Sequence, residues 1–509
     1  MTHHRPRNRM FRRNSKQARP AVDRKPAFDT LDENALRSMF ASSADVVIKS
    51  FPAKKVSAIP ALLIYSEGMV DTMVMTQYVL PDLEEKLEYF KDWEPLAREL
   101  DKSMEWSEIN QHADVVKLLF EGHLILFFST EKRFYSINIA ARPNRQPDES
   151  NTEVAIKGAR DAFTEDITTN VALVRKRLRT ATLHNEQMII GDRSQTRVSL
   201  LYISDIIRPE VVNEAKERLK GIHVDALITS GQLEEALSDS TLSLFPLMDY
   251  IGRPDFVMEC LLRGRFVILV DGSPMALIAP CNLMELLKTP EDSYFPYYFV
   301  IFERLLRLLG LFLAITLPGF WIALTSYNMD QLPFLLLATV TVSRFGLPLS
   351  SPMEMILMLG MFELFREAGI RLPKAVGQTI AVLGGLIIGD AAIRAGLTSP
   401  TMLVVSATTA VATFTLVNQT LSGTVSIIRL YVLIWSSLLG MLGFFIGILS
   451  LIAYLSVLES FGLPYLAPVS PLTIKDLMGS LLKKPWAFNK KRPQMLQTID
   501  DTSEEREPT

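Results

Sequence analysis

Leu308-Leu-Gly-Leu-Phe-Leu-Ala-Ile-Thr-Leu-Pro-Gly-Phe-Trp-Ile-Ala-Leu-Thr-Ser-Tyr-Asn-Met329 runs for 22 residues without a charge. At about 1.5 Å per residue, a helix of that length crosses the ~30 Å hydrocarbon layer of a bilayer. The stretch is not isolated. From Leu308 to Ile474 only 12 of 167 residues are charged, whereas the other 342 residues of the 509 hold 97 charges. That division excludes a purely soluble protein and predicts a soluble region joined to a membrane domain.

Further apolar runs continue the pattern. Ala395–Ile428 is uncharged for 34 residues and Leu430–Leu458 for 29, while Val376–Ile393 is interrupted by Asp390. Gln331–Ser343 is too short to cross alone. Arg344-Phe-Gly-Leu-Pro-Leu-Ser-Ser-Pro352 breaks it, and Met353–Phe365 resumes with Glu354 and Glu363 embedded. Residues 331–366 therefore read as a broken or re-entrant helix, which is tolerated only where protein or water covers the freed backbone. Arg304 and Arg307 precede the first span, and Lys475, Lys483, Lys484, Lys490, Lys491 and Arg492 follow the last. Basic flanks place both ends in the cytoplasm, so crossings are even: four spans plus the hairpin, or six.

The N-terminal part reads differently. Residues 1–27 carry nine Arg/Lys and one acid with no apolar core behind them. This is not a signal peptide but a disordered basic tail, with attraction to anionic membrane lipid as its functional alternative. From Phe28 to about Tyr298 the chain is mixed α/β. Ala61–Tyr65, His123–Phe128 and Arg197–Ile203 are strand-like, Glu84–Leu100 is helix-like, and Pro209–Gly221 has a helix's start and stop residues. Arg265–Ala279 is a hairpin about Asp271-Gly272. A polar stretch, Ala141–Asn151, separates two lobes. The expected fold is thus an α/β cytoplasmic N-terminal region of two lobes followed by a polytopic α-helical membrane domain with a broken or re-entrant helix. The expected divisions are 1–27, 28–140, 152–300, 305–460 and a cytoplasmic C-terminal tail at 461–509, disordered from Ile499.

No nucleophile–base set, phosphate loop or metal-ligand spacing is present. The expectation is therefore a protein that is not an enzyme and holds no cofactor or metal. Cys260 and Cys281 make no disulfide framework and read as buried thiols. A net charge of −3 speaks against a general nucleic-acid binder. The chemistry lies in ionisable residues of the apolar half. Glu354, Glu363, Glu367 and Asp390 sit where an ionised carboxylate costs several kcal/mol unless paired or hydrated. Glu363 and Glu367 share a helix face beside Arg366 and Arg371, so local pairing at an interface competes with a wet cavity. Eleven of the 27 residues Thr398–Thr424 are Ser or Thr, which line a polar path or bond back to their own helix. Gly385 with Gly389, and Gly443 with Gly447, are small-xxx-small pairs for helix packing. These features fit a channel, a transporter, a flippase-like protein or a receptor subunit.

Glu363-Leu-Phe-Arg-Glu-Ala-Gly-Ile-Arg-Leu-Pro-Lys374, then Gly377-Gln378, Gly384-Gly-Leu-Ile-Ile-Gly-Asp-Ala-Ala392, Ser399-Pro400 and Pro464-Tyr-Leu-Ala-Pro468 together resemble the A subunits of the GerA-type spore germination receptor family. The resemblance extends to Phe163-Thr-Glu165, Asn170, Arg175-Lys-Arg177, Tyr202, Phe245-Pro246, Arg253-Pro-Asp255, Leu262–Pro280 and Pro290-Glu-Asp292, so it covers Ser43 to Trp486. The chain departs at Gly158-Ala159-Arg160, where the family usually has Gly-Pro-Arg, and at Gly252, where an acid is common. The resemblance implies a multi-pass protein of the spore inner membrane. Its implied partners are a transporter-like, nutrient-binding B-type subunit and a C-type lipoprotein. It also implies a homo-oligomeric ring that conducts cations when nutrient arrives. Glu354, Glu363, Glu367, Gln378 and Asp390 are then the pore or gating candidates. An accessory member that amplifies germination with the dipicolinate-release channel, and a secondary transporter, are the alternatives.

Overall fold

The computed structural model describes residues 32–51, 59–90, 92–102, 106–109, 111–141, 156–371, 389–485, 488 and 490–503. Lobe 1 contains α1 Glu33–Met39, β1 Val46–Phe51, β2 Ala61–Ser66, α2 Thr72–Val74, α3 Leu80–Tyr89, α4 Trp93–Lys102, β3 Trp106–Glu108, α5 His112–Leu119, β4 His123–Phe128 and β5 Arg133–Asn138. Lobe 2 contains α6 Ile167–Arg177, β6 Leu183–Ile190, β7 Thr196–Ile203, α7 Pro209–Lys220, α8 Ser230–Leu237, β8 Asp249–Ile251, α9 Pro254–Leu262, β9 Phe266–Val270, β10 Ala276–Ala279 and α10 Leu283–Leu286.

The two lobes share one plan. Each sheet is wholly antiparallel, in the orders β1-β2-β4-β5-β3 and β6-β7-β9-β10-β8. Each begins with a helix and a hairpin, passes through helices to an edge strand, and ends with a helix and a second hairpin. This identity of topology makes lobe 2 a structural repeat of lobe 1. Both sheets have two buried faces, so their central strands are apolar throughout rather than alternating. In β4, Leu124, Leu126 and Phe128 enter one core and Ile125 and Phe127 the other. In β9, Val267 and Leu269 face one core, while Phe266, Ile268 and Val270 face the second.

One buried ion pair joins the lobes. Arg175 on α6 is fully buried, donates to Asp45 from Nε (2.7 Å) and Nη2 (3.0 Å), and lies over the Phe120 ring. Asn185 of β6 also donates to Asp45, and its backbone bonds to Ala44 and Ser42. Charge, ring and ladder contacts thus set the lobe angle together.

The helical part comprises α11 Tyr297–Tyr327, α12 Phe334–Ser343, α13 Ser351–Arg371, α14 Gly389–Arg394, α15 Pro400–Phe414 and α16 Gln419–Val457. Two of these, α11 and α16, are long and apolar enough to cross a membrane by length and composition. Residues 344–350 break the chain between α12 and α13, where the sequence predicts an interruption. Two departures from the sequence reading are structural. First, α11 begins eleven residues before Leu308, because Arg304 and Arg307 find an acid to pair with and are buried rather than flanking. Second, Leu430–Leu458 is not one straight helix. Gly440 takes φ 62 and ψ −137, reversing the chain within α16. The Tyr431 hydroxyl meets Ser450 Oγ at 2.8 Å, and a Cβ on Gly447 would lie 3.5 Å from Val432 Cα. In a straight helix, residues 19 apart would be about 28 Å apart. The two limbs, 419–439 and 441–457, therefore form a helical hairpin. Ala395–Ile428 is likewise divided, by the turn at 415–418, where Asn418 caps α16 through Leu421 N.

The chain leaves lobe 2 at α11 and returns to it. Near the end of α16 the Tyr454 hydroxyl accepts from Leu244 N of lobe 2 at 3.0 Å, and Phe245 of lobe 2 packs beside Tyr465. At the opposite end of the bundle, the Tyr327 hydroxyl donates to Ser437 O, beside the Gly440 reversal. Beyond α16 the sequence suggests a loose tail, and the structure differs. β11 Glu459–Ser460 and β12 Leu463–Pro464 form a small ribbon, α17 Ile474–Leu481 follows, and residues 490–503 lie back on lobe 2. Phe461 joins a lobe 2 core, Tyr465 is wholly buried, and Ile499 N donates to Ile206 O at 2.9 Å. The apolar anchors Phe461 and Tyr465 outweigh the polar composition around them.

Candidate functional site

Two groups of buried charges stand out, one where lobe 2 meets the helices and one inside the bundle. At the joint, Arg253 sits before α9 with its guanidinium buried. It donates to Asp255 (3.1 and 2.6 Å) and to Glu291 (2.7 Å). Glu291 also accepts the backbone N–H of Lys157 at 3.0 Å. Burial pushes the Glu291 carboxyl up, but the Arg253 and backbone hydrogen bonds prevail and hold it below the usual range. Its neighbour Asp292 turns the other way. One oxygen accepts Arg304 Nε and the other Arg307 Nη1, each at 2.9 Å. Burial opposes ionisation there too, yet the two arginines keep the Asp292 carboxyl low. Both arginines lie in the first turns of α11, so Asp292 ties that helix to lobe 2. The returning segment closes the joint: Arg304 Nη1 donates to Ser480 O and Lys483 to Phe295 O, both at 2.9 Å. Arg253-Pro-Asp255 and Pro290-Glu-Asp292, noted in the sequence only as motifs, are the two halves of this network.

A second acid lies nearby. Burial, then the charge of Glu285, push Asp249 up to about 6. It accepts Asn418 Nδ2 at 2.9 Å, the residue that caps α16. Burial and Asp249 likewise push Glu234 up to about 7. Glu285 itself is held well below its ordinary value despite burial, by Arg265, Lys288 and Arg263. A carboxyl whose folded value is raised destabilises the fold once ionised, so Asp249 should make stability fall as pH rises from 3.8 to about 6. Asp249→Asn keeps the single Oδ1 that accepts from Tyr250 N and Asn418 Nδ2 and removes the charge. Its melting temperature should exceed the parent's above pH 6, with the gap closing as pH falls towards 3.8. Parallel melting curves for the two proteins across that range would reject the assignment.

Inside the bundle the predicted residues part company. Glu354, fully buried in the first turn of α13, accepts Ser399 N at 3.1 Å and Ser399 Oγ at 3.2 Å. Ser399 caps α15, so the carboxylate sits at the positive end of that helix. Arg344, from the break before α13, approaches its second oxygen at 3.5 Å. Glu363 lies two turns further along α13. It pairs with Arg366 on its own helix and with Arg429 of α16 at 3.4 Å. Arg429, itself buried, also reaches Thr413 Oγ1 of α15 at 3.0 Å, and Arg366 reaches Ser422 Oγ at 3.0 Å. Arg429 thus links three helices, meeting Glu363 of α13 and Thr413 of α15 from α16. Most other Ser and Thr hydroxyls of α15 donate to backbone carbonyls of their own helix, among them Ser406, Thr408, Thr409 and Thr413.

The remaining candidates are elsewhere. Glu367 is exposed. Asp390 is also exposed and pairs with Arg394 one turn on, at 2.8 Å, instead of joining the buried acids. Gln378 and Gly385 lie outside the described residues. Gly389 faces the Leu403 side chain, while Gly443 and Gly447 face residues 432–435 across the α16 hairpin. The sequence reading missed Arg429, Ser399 and Arg344. Arg429 had a signal: it is the single charge between two long uncharged runs. Among the described residues no group of three His, Cys, Asp or Glu side chains is placed to hold a metal. Cys260 and Cys281 are buried and unpaired, and burial pushes both thiols up.

Comparison with known proteins places the chain in a family. The model of the Bacillus/Clostridium GerA spore germination protein matches residues 34–495. Spore germination protein XA of Bacillus anthracis is 44% identical over 93% of this chain and 97% of its own length. Spore germination protein KA of Bacillus subtilis is 31% identical, over 90% of this chain and 85% of its own. The crystal structure of the N-terminal domain of the A subunit of the Bacillus megaterium spore germinant receptor GerK3 covers 48% of this chain at 31% identity, with a TM-score of 0.38. The chain, matched from lobe 1 through the returning C-terminal segment, belongs to the GerA family of spore germination proteins.

Proposed function

We propose that this protein is the A subunit of a nutrient germinant receptor in the spore inner membrane, where copies form a ring that conducts cations on nutrient binding. Its partners in this reading are a B-type transporter-like subunit and a C-type lipoprotein. The observation that carries the proposal is a pair of ion-pair groups, one at the joint between lobe 2 and the helices and one within the bundle. Arg253, Glu291 and Asp292 hold α11 at the joint, and Glu363 with Arg429 ties α13 to α16 within the helices. Buried ion pairs of this kind have two arrangements, made and broken, and so suit a gate biased from outside the membrane.

The helix arrangement supports a multi-pass reading with both ends cytoplasmic. The apolar region starts and finishes against lobe 2, which requires an even number of crossings. α11 and the first limb of α16 run away from lobe 2, whereas α15 and the second limb run towards it. α13 also returns, so the five described segments already exceed four crossings and the even count favours six.

Glu363→Gln tests the proposal. It keeps the shape and cuts the carboxylate's pull on Arg366 and Arg429. In the native spore, with the protein present at parental level, nutrient-triggered cation release should change rate by about tenfold or more, equivalent to about 1.4 kcal/mol in the gate. Release at the parental rate in these spores would defeat the gating role.

A further inference from the structure

A cavity of about 230 Å³ lies between lobe 2 and the returning C-terminal segment. Lobe 2 contributes Arg208 and the start of α7, the β11–β12 ribbon contributes Phe461 and Leu463, and Thr473, Gln494 and Gln497 complete the wall. Most of the remaining lining is apolar. Arg208 is the one charged residue among those that line it, and no acid is present there to neutralise it. The Arg208 guanidinium donates from Nη1 to Gln497 Oε1 at 2.8 Å, but its Nε is buried without a hydrogen-bond partner. Thr473 Oγ1 is buried and unpartnered in the same way. Arg208 also occupies the cap position of α7, whose 12-residue helix begins with its positive end at this place. Buried donors left unpaired are costly, and an arginine facing an apolar chamber is satisfied best by a carboxylate.

From this geometry we infer that the cavity binds a small carboxylic acid with a short apolar body. The carboxylate accepts from Arg208 and Thr473, and the body packs on Phe461 and Leu463. A simple acid suits the lining better than an amino acid, because no acidic side chain there receives an ammonium group. The site exists only while the returning segment is docked, so the ligand holds lobe 2 and that segment together. The same segment carries Asp476, which accepts Gln494 N and Met495 N at 3.1 and 2.7 Å, and Ser480, which receives Arg304 at the joint. Occupancy therefore acts on the joint that the proposed gate uses, which makes the site a regulatory one.

Titration calorimetry of the full chain in lipid nanodiscs tests the inference with three probes of similar shape: isovalerate, isovaleramide and L-leucine. Isovalerate should bind with Kd of order 1 mM, well within the ceiling for a ligand of so few atoms. Isovaleramide and L-leucine should bind at least about tenfold more weakly, as loss of a charged hydrogen bond or an unpaired ammonium requires. Arg208→Gln should weaken isovalerate about tenfold, and Arg208→Lys, which keeps the charge but loses the Nε donor, should fall between Arg208→Gln and the parent. Equal binding of acid and amide, or unchanged affinity in a folded Arg208→Gln protein, overturns the site, as does absence of any isovalerate heat. The readout needs no ion flux. Failure of Glu363→Gln in spores would leave this result standing, and failure here would leave that one.

Discussion

Asp292→Ala should separate the helical bundle from lobe 2 while leaving both folded. The carboxylate is the common partner of Arg304 and Arg307, and removing it leaves Arg304 with no acid and Arg307 with Glu303 alone, in a largely buried site. Breaking a buried pair by deleting one partner costs about 3–5 kcal/mol, and two arginines share this one acid. Leu287 O and Ser480 O continue to accept from the guanidiniums, and Glu303 still pairs with Arg307, so Arg304 bears most of the lost charge pairing. The expected results are a lower melting temperature in detergent and new protease cuts between Tyr294 and Arg304. Nutrient response in spores should be lost even where protein remains. A triple variant, D292L with R304M and R307M, separates stability from signalling. Replacing a buried ionic cluster by apolar groups is often neutral or stabilising, so melting should recover while nutrient response does not. If Asp292→Ala melts and responds like the parent, the joint is not held by this acid.

The soluble lobes were largely legible in the sequence. Leu124–Phe128 reads as a buried strand because every position is apolar, and both faces of its sheet are covered. Pro209 and Gly221 bracket α7 because one tolerates a missing N–H and the other follows the last turn. The repeat relationship of the lobes was not legible, since it resides in strand order and not in residue identity. The bundle was legible by composition but not by course. A straight helix and a hairpin have the same hydropathy, and only the backbone angle of Gly440 separates them. For the charged residues, the burial-cost argument singled out Glu354, which is fully buried, and Glu363, which is part-buried and held by Arg366 and Arg429. The same argument did not serve Asp390, because Arg394 one turn away gives it an exposed partner. Arg304 and Arg307 looked like membrane flanks because their acid lies on the preceding loop, outside any helical spacing.

Gly443→Val should open the α16 hairpin and is the largest packing effect expected in the bundle. A Cβ at Gly443 would stand 2.0 Å from the Trp435 carbonyl oxygen and 2.6 Å from its carbon. Those are backbone atoms, so no rotamer change relieves the clash and the limbs must move apart. Ordinary overpacking costs about 1–3 kcal/mol because side chains yield; here the cost should lie at or above that range. Separation would propagate. Val432 packs against Gly447 across the hairpin and against Gly319 of α11, and Arg429 holds Glu363 one turn earlier on the same limb. Gly447→Ala is the internal control, since its added Cβ would meet Val432 at an ordinary contact distance of 3.5 Å. A cysteine pair at Tyr431 and Ser450, separated by about the length of the phenol that now bridges the limbs, reports the geometry through a short thiol-to-thiol bifunctional reagent. It should crosslink readily in the parent background and in Gly447→Ala, and poorly in Gly443→Val. Equal crosslinking in all three would mean that the two limbs do not approach through Gly443.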